Sequence, residues 1–218
     1  MSFCFIAEDE FGGEIISIRA GKSSFHIHES LVKESSTLRH SLRKQKEARG
    51  YVYTLIIPDK YTEALQCYIN WIYRRIIPCA DSEQQTRKES INLVKAYIIG
   101  KKLGDTEFQN AVIDEVIERA SGKCNGSIIL PDAETVRFTY EEAKGRSGFK
   151  TLLVDLYASN TINGYFCKPA SSKYPKLFLI DVLSAVADMR RTGRPSPTEG
   201  GSNNICKRFH KHTQGTKC

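Results

Sequence analysis

An α+β fold is predicted for this chain: a small β-sheet flanked by an α-helical cluster, with an α-helical extension after it. Three observations predict it. Apolar and polar residues alternate in short stretches confined to the first 57 residues, the period of half-buried strands. From Leu65 onward the apolar residues recur every three or four positions, the period of helices packed on one side. Turn-forming steps such as Gly12-Gly13, Gly21-Lys22-Ser23-Ser24 and Pro58-Asp59 bound the alternating stretches.

Taken in order, Ile15-Ile16-Ser17-Ile18 reads as a strand ended by the turn at Gly21. Phe25 and Ile27 alternate with His26 and His28, so a second strand returns as a hairpin. At Glu29 the period changes. Leu31, Val32, Leu38 and Leu42 fit two short helices broken near Ser35-Ser36, whose hydroxyls suit an N-cap for the second. The run "KQKEARG" reads as a charged loop. Tyr51, Tyr53, Leu55 and Ile57 alternate again up to Pro58, and Asp59 is placed to cap the next helix. Leu65, Tyr68, Ile69 and Ile72 give that helix its apolar side. "DSEQQTRKE" reads as a polar loop, followed by an apolar helix over Ile91–Leu103 closed by Gly104. Thr106 and Gln109 have capping-box spacing and begin a helix running to about Ile117. Further helices are predicted over Ala133–Tyr140, Phe149–Tyr157 and Leu177–Met189. "RRTGRPSPTEGGSNN" reads as a flexible linker, being rich in Gly, Pro and Ser.

Composition narrows the function classes. With 218 residues, 40% hydrophobic and 26% charged, the chain has material for one ordinary core and an extension. The net charge of +7 is unevenly placed: from Arg190 onward seven basic residues face one acid, Glu199, while the preceding 189 residues are nearly neutral. Seven charges without interleaved aromatics give salt-sensitive, sequence-blind attraction to phosphates, so nucleic acid is not the expected partner. No apolar run approaches the ~20 residues of a membrane-spanning helix. "MSFCFIAEDE" lacks the basic stretch of a secretory signal, so an intracellular protein is expected. Cys4, Cys67, Cys79, Cys124, Cys167, Cys206 and Cys218 are scattered without a Cys-x-x-Cys pair, which fits free thiols.

Catalytic signatures do not assemble, and no enzymatic activity is expected. His26 and His28 stand beside Glu29, yet no cysteine joins them and only His40 lies near in sequence. They are read as the joint between strand and helix, with His28 partly buried and hydrogen-bonded. Gly100-Lys101-Lys102-Leu103-Gly104 lacks phosphate-loop spacing. Glu141-Glu142 and Asp114-Glu115 read as solvated helix faces rather than acid/base pairs.

The order "FHIHESLVKESSTLRHSL", "YVYTLIIPDKYTEALQCYINWIY", "LVKAYIIGKKLGDTEFQNAVIDEVIE" resembles the BTB/POZ domain in its fungal version. The resemblance rests on the Ile27-His28-Glu29 step, Leu31 and the Ser35-Ser36 break, Ile57-Pro58-Asp59, and the aromatic Trp71-Ile72-Tyr73 helix. "FKTLLVDLYA" is similar to the helical continuation of fungal members. Many BTB domains carry an Asp where this chain has Gly13-Glu14-Ile15. The resemblance implies a BTB/POZ-like interaction domain over 12–118, a helical extension over 119–190 and a basic Cys/His tail over 191–218. It implies a protein–protein interaction module, acting with protein partners or as a homodimer. The alternatives are a substrate adaptor docking a cullin scaffold, or a regulatory protein with a zinc-binding tail. Ile16, Ile18, Leu31 and Leu38 are the candidates for the contact surface, and each equally fits ordinary core.

One further constellation stands out, Cys206-x3-His210-x-His212-x5-Cys218. Two thiolates and two imidazoles complete a tetrahedral zinc set. So short a segment, with Ile205 and Phe209 as its large apolar residues, needs a metal to organise it. A disordered tail is the favoured reading, with no cofactor, and a structural zinc the alternative.

Overall fold

The computed structural model describes residues 15–34, 36–47, 50–77, 83–122, 128–143, 145, 147–160, 170–199 and 201–212. Strand β1 (Ile15–Ala20) and strand β2 (Ser23–His28) form the expected antiparallel hairpin, with Ile16 opposite Ile27 and Ile18 opposite Phe25. The turn between them requires a left-handed residue, and Gly21 supplies it at φ 59°. A Cβ there would stand 1.9 Å from Asp59 Oδ1, the end of an exposed side chain that is free to turn aside, so the positive φ is what calls for glycine.

Helices α1 (Glu29–Glu34) and α2 (Ser36–Ser41) follow, and the chain returns to the sheet as β3 (Arg43–Glu47) and β4 (Gly50–Leu55). The strand order is β2-β1-β4-β3. β4 runs parallel to β1, which the intervening helices permit, and antiparallel to β3. β3 corrects the charged-loop reading of residues 44–50 over its first four positions. Its RKQKE sequence carries no apolar alternation, and it is held as an edge by the β4 ladder; lysines on an edge also discourage further pairing.

A 3₁₀ turn at Asp59–Tyr61 leads into α3 (Thr62–Arg74). Asp59 does not cap α3, because that turn intervenes and the N-cap residue is Tyr61, which makes no side-chain cap bond. α3 ends at Arg75 in the left-handed region, φ 55°, with its guanidinium 4.3 Å over the Trp71 ring. α4 spans Glu83–Leu103, eight residues longer at its start than the apolar pattern predicts. The added Glu, Gln, Arg and Lys residues are good helix formers without an apolar stripe to announce them.

α5 (Thr106–Ala120) begins one residue earlier than the capping box implies. Asp105 is the N-cap, accepting from the Phe108 N–H at 2.9 Å, while Gln109 Nε2 donates back to the Asp105 carbonyl. α6 (Ala133–Glu142) and α7 (Gly148–Ser159) are capped by Asp132 and Ser147. α8 (Lys176–Thr192) ends at left-handed Gly193, and α9 (Ser202–Phe209) follows.

The buried residues form one continuous cluster. It joins Ile18, Ile27, Leu38 and Leu55 beside the sheet to Tyr68, Tyr97 and Phe108 at the centre, and to Leu152, Leu156, Tyr157 and Phe178 in the extension. The interaction domain and helical extension expected from the sequence therefore share a core. Among the described residues, no helix is long and apolar enough to cross a membrane.

Candidate functional site in the docked 194–212 segment

The expected contact residues lie inward. Ile18, Leu31 and Leu38 are 1%, 5% and 1% exposed, and Ile16 is partly buried against the same cluster. The strand alternation and helix spacing that make them conspicuous are what turn them toward the core, the ordinary-core alternative that each of them fits. The large apolar side chains left in solvent include Leu177, Ile180 and Leu183 on α8, at 68%, 58% and 71% exposure.

His28 is half-buried, as expected, and hydrogen-bonded at the strand–helix joint. Its backbone N–H donates to Tyr73 Oη at 2.9 Å, and Nδ1 lies at the same distance from that hydroxyl. His26 points to solvent.

The linker expectation for residues 190–204 fails, because the chain after α8 is pinned to the body. Asp155 on α7 is 1% exposed and receives two guanidinium groups from this segment. Arg194 donates to Asp155 Oδ2 at 2.5 Å; Arg208 donates Nε to the same oxygen and a terminal nitrogen to Oδ1 at 3.0 Å. A buried carboxylate needs such partners, and a two-pronged guanidinium satisfies both oxygens. Two of the seven basic residues from Arg190 onward are thus turned onto one buried carboxylate.

Apolar and backbone contacts complete the docking. Phe209 is 3% exposed, and its carbonyl sits over Gly148 in the first turn of α7, where a Cβ would meet it at 2.2 Å. On α5, Asn110 grips the backbone of Lys211 in both directions at 2.9 Å, donating to its carbonyl and accepting from its N–H. Lys211 Nζ reaches Gln109 Oε1 at 3.3 Å, and burial together with Lys101 nearby lowers its pKa.

This docking gathers three of the four predicted ligands. One donor atom each from Cys206, His210 and His212 lies within 4.8 Å of the others. Cys206 Sγ is 3.1 Å from His212 Nε2, and His210 Nε2 is 2.9 Å from Asp114 Oδ1 on α5. Cys218 lies outside the described residues. The expectation of free thiols holds for Cys67, whose pKa burial pushes up to about 11. It fails for Cys206, whose sulfur is disulfide-bonded.

Asp155, Gly148, Asn110 and Asp114 were not read as site residues from sequence. Each sits on a regular helix, and its role appears only once a segment 50 to 100 positions away folds back on it. No protein-family model, curated protein or solved structure matches this chain.

Proposed function

We propose that this chain is a protein–protein interaction module of the BTB/POZ kind, working by association rather than by transforming a substrate. The resemblance in residue order and a hairpin that feeds a helix pair and then a parallel strand support the reading. The observation that carries it is the α8 stripe. Leu177, Ile180 and Leu183 are spaced by three residues, share one side of the helix and stand in water. An apolar surface of this sort marks an association face.

A second copy of the chain fits it. Leu177 and Leu183 lie three residues on either side of Ile180, so an antiparallel two-fold pairing sets Ile180 on Ile180 and Leu177 on Leu183. Light scattering at tens of micromolar tests this. The expected mass is twice 24.6 kDa, and the doubly charged variant Ile180→Glu/Leu183→Glu is expected at 24.6 kDa. A strictly monomeric wild type would overturn self-association through α8.

A further inference from the structure

Cys206 lies in the last turn of α9, and His210 and His212 follow just past its end. We propose that in the reduced protein these three side chains bind one divalent cation of the zinc class, which ties the last turn of α9 to the residues just past its end. This is independent of association through α8.

The donor set selects the ion. A thiolate with two imidazoles suits zinc and its tetrahedral relatives, whereas calcium and magnesium require oxygen donors. Geometry agrees with the chemistry. With Zn–S of about 2.3 Å and Zn–N of about 2.0 Å, tetrahedral ligand atoms stand roughly 3.3–3.6 Å apart. Cys206 and His212 are already at 3.1 Å, and none of the three separations exceeds 4.8 Å. His212 is exposed, so its ring can make the remaining adjustment of about an ångström.

Asp114 prepares the second imidazole. A carboxylate accepting from Nε2–H leaves the lone pair of neutral His210 on Nδ1, the outer-partner arrangement that orients histidine ligands. The chain is fixed on both sides of His210, by Arg208 and Phe209 on α7 and by Lys211 on Asn110. Of the cations interleaved with the ligands, Lys207, Arg208 and Lys211, Arg208 has its charge turned onto Asp155 and Lys211 reaches Gln109 Oε1 at 3.3 Å.

The disulfide at Cys206 sets the order of events. A thiol reductant supplies two electrons and two protons, two RSH becoming RSSR, and the S–S bond opens to two thiols. The cation then releases the Cys206 S–H proton to solvent and takes the lone pairs of two neutral imidazoles.

The test uses the full chain, reduced with excess thiol, desalted without oxygen and titrated with Zn²⁺ alone. Tight uptake of one zinc per chain is expected. With Co²⁺, a thiolate-to-cobalt charge-transfer band and tetrahedral d–d bands are expected. Asp114→Asn should weaken zinc binding by about ten- to hundredfold, and His212→Ala by at least as much. His212 is exposed, so that variant is expected to keep the wild-type circular dichroism. Loading zinc should slow tryptic cleavage after Lys207 and Arg208. No uptake by the reduced wild type would overturn the site, as would cobalt binding without a thiolate band. So would unchanged zinc affinity in a folded His212→Ala variant.

Discussion

Gly148→Ala is the substitution whose sign the structure decides. Taken alone, α7 should gain from it, since alanine loses less backbone entropy than glycine at a helical position, by up to about 1 kcal/mol. The docked segment reverses that. The new Cβ would stand 2.2 Å from the Phe209 carbonyl oxygen and 3.2 Å from its carbon, whereas ordinary contact begins at 3.4 Å. The segment must therefore retreat by more than an ångström. Hydrogen bonds tolerate only a few tenths of that, so the Arg208–Asp155 and Asn110–Lys211 bonds stretch or break. At about 1–3 kcal/mol for bonds to charged groups and about 1 kcal/mol for neutral ones, a net loss of about 2 kcal/mol is expected. At ~1.4 kcal/mol per tenfold, that raises the undocked population roughly thirtyfold. Limited trypsinolysis read by mass spectrometry reports it as faster cutting after Lys207, Arg208 and Lys211. Wild-type cutting rates with a raised thermal midpoint would refute the reasoning.

Replacing Arg194 and Arg208 together with methionine strands the Asp155 carboxylate, a defect of about 3–5 kcal/mol when it stays buried. Because water reaches Asp155 once the segment lifts, proteolysis should show release while the urea midpoint falls by less than that figure implies; either single variant should do much less. Asp105→Ala removes the bonds from Phe108 N–H and Tyr68 Oη and should cost about 2–3 kcal/mol in urea denaturation, with Asp105→Asn milder. Cys67 binds its proton more tightly folded than unfolded, so it contributes stability below pH 9.0 that is lost as pH rises from 9.0 toward 11. Two units correspond to about 2–3 kcal/mol, to be seen as a steeper alkaline fall in the wild type than in Cys67→Ala, with iodoacetamide labelling of the native thiol slow until pH nears 11.

Much of the fold was legible because local periodicity reports burial. The hairpin, the helix pair around Ser35, and α3, α6, α7 and α8 all follow from apolar spacing and cap residues. β3 and the first turns of α4 were illegible for a common reason: RKQKE and EQQTRK carry no apolar alternation or stripe, and pairing or propensity sets their state. At Ile18, Leu31 and Leu38 the same periodicity marks residues facing inward and says nothing about a partner. The ligand trio was visible as residue types at a spacing. Its convergence was not, since it depends on Asp155, Gly148 and Asn110, which look ordinary until a distant segment lands on them. Gly, Pro and Ser between Arg190 and Asn204 read as slack, whereas Arg194 within that stretch and Arg208 just past it tie it to α7.

The Asn110–Lys211 clamp joins positions 101 apart in sequence. The trough on α5 and α7 is thus filled by residues far along the chain. A released chain cut short after α8 would display Asp155 without either guanidinium and the seat of Phe209 without its ring. Such a half-built surface is a natural target for chaperone capture, and for pairing between truncated chains.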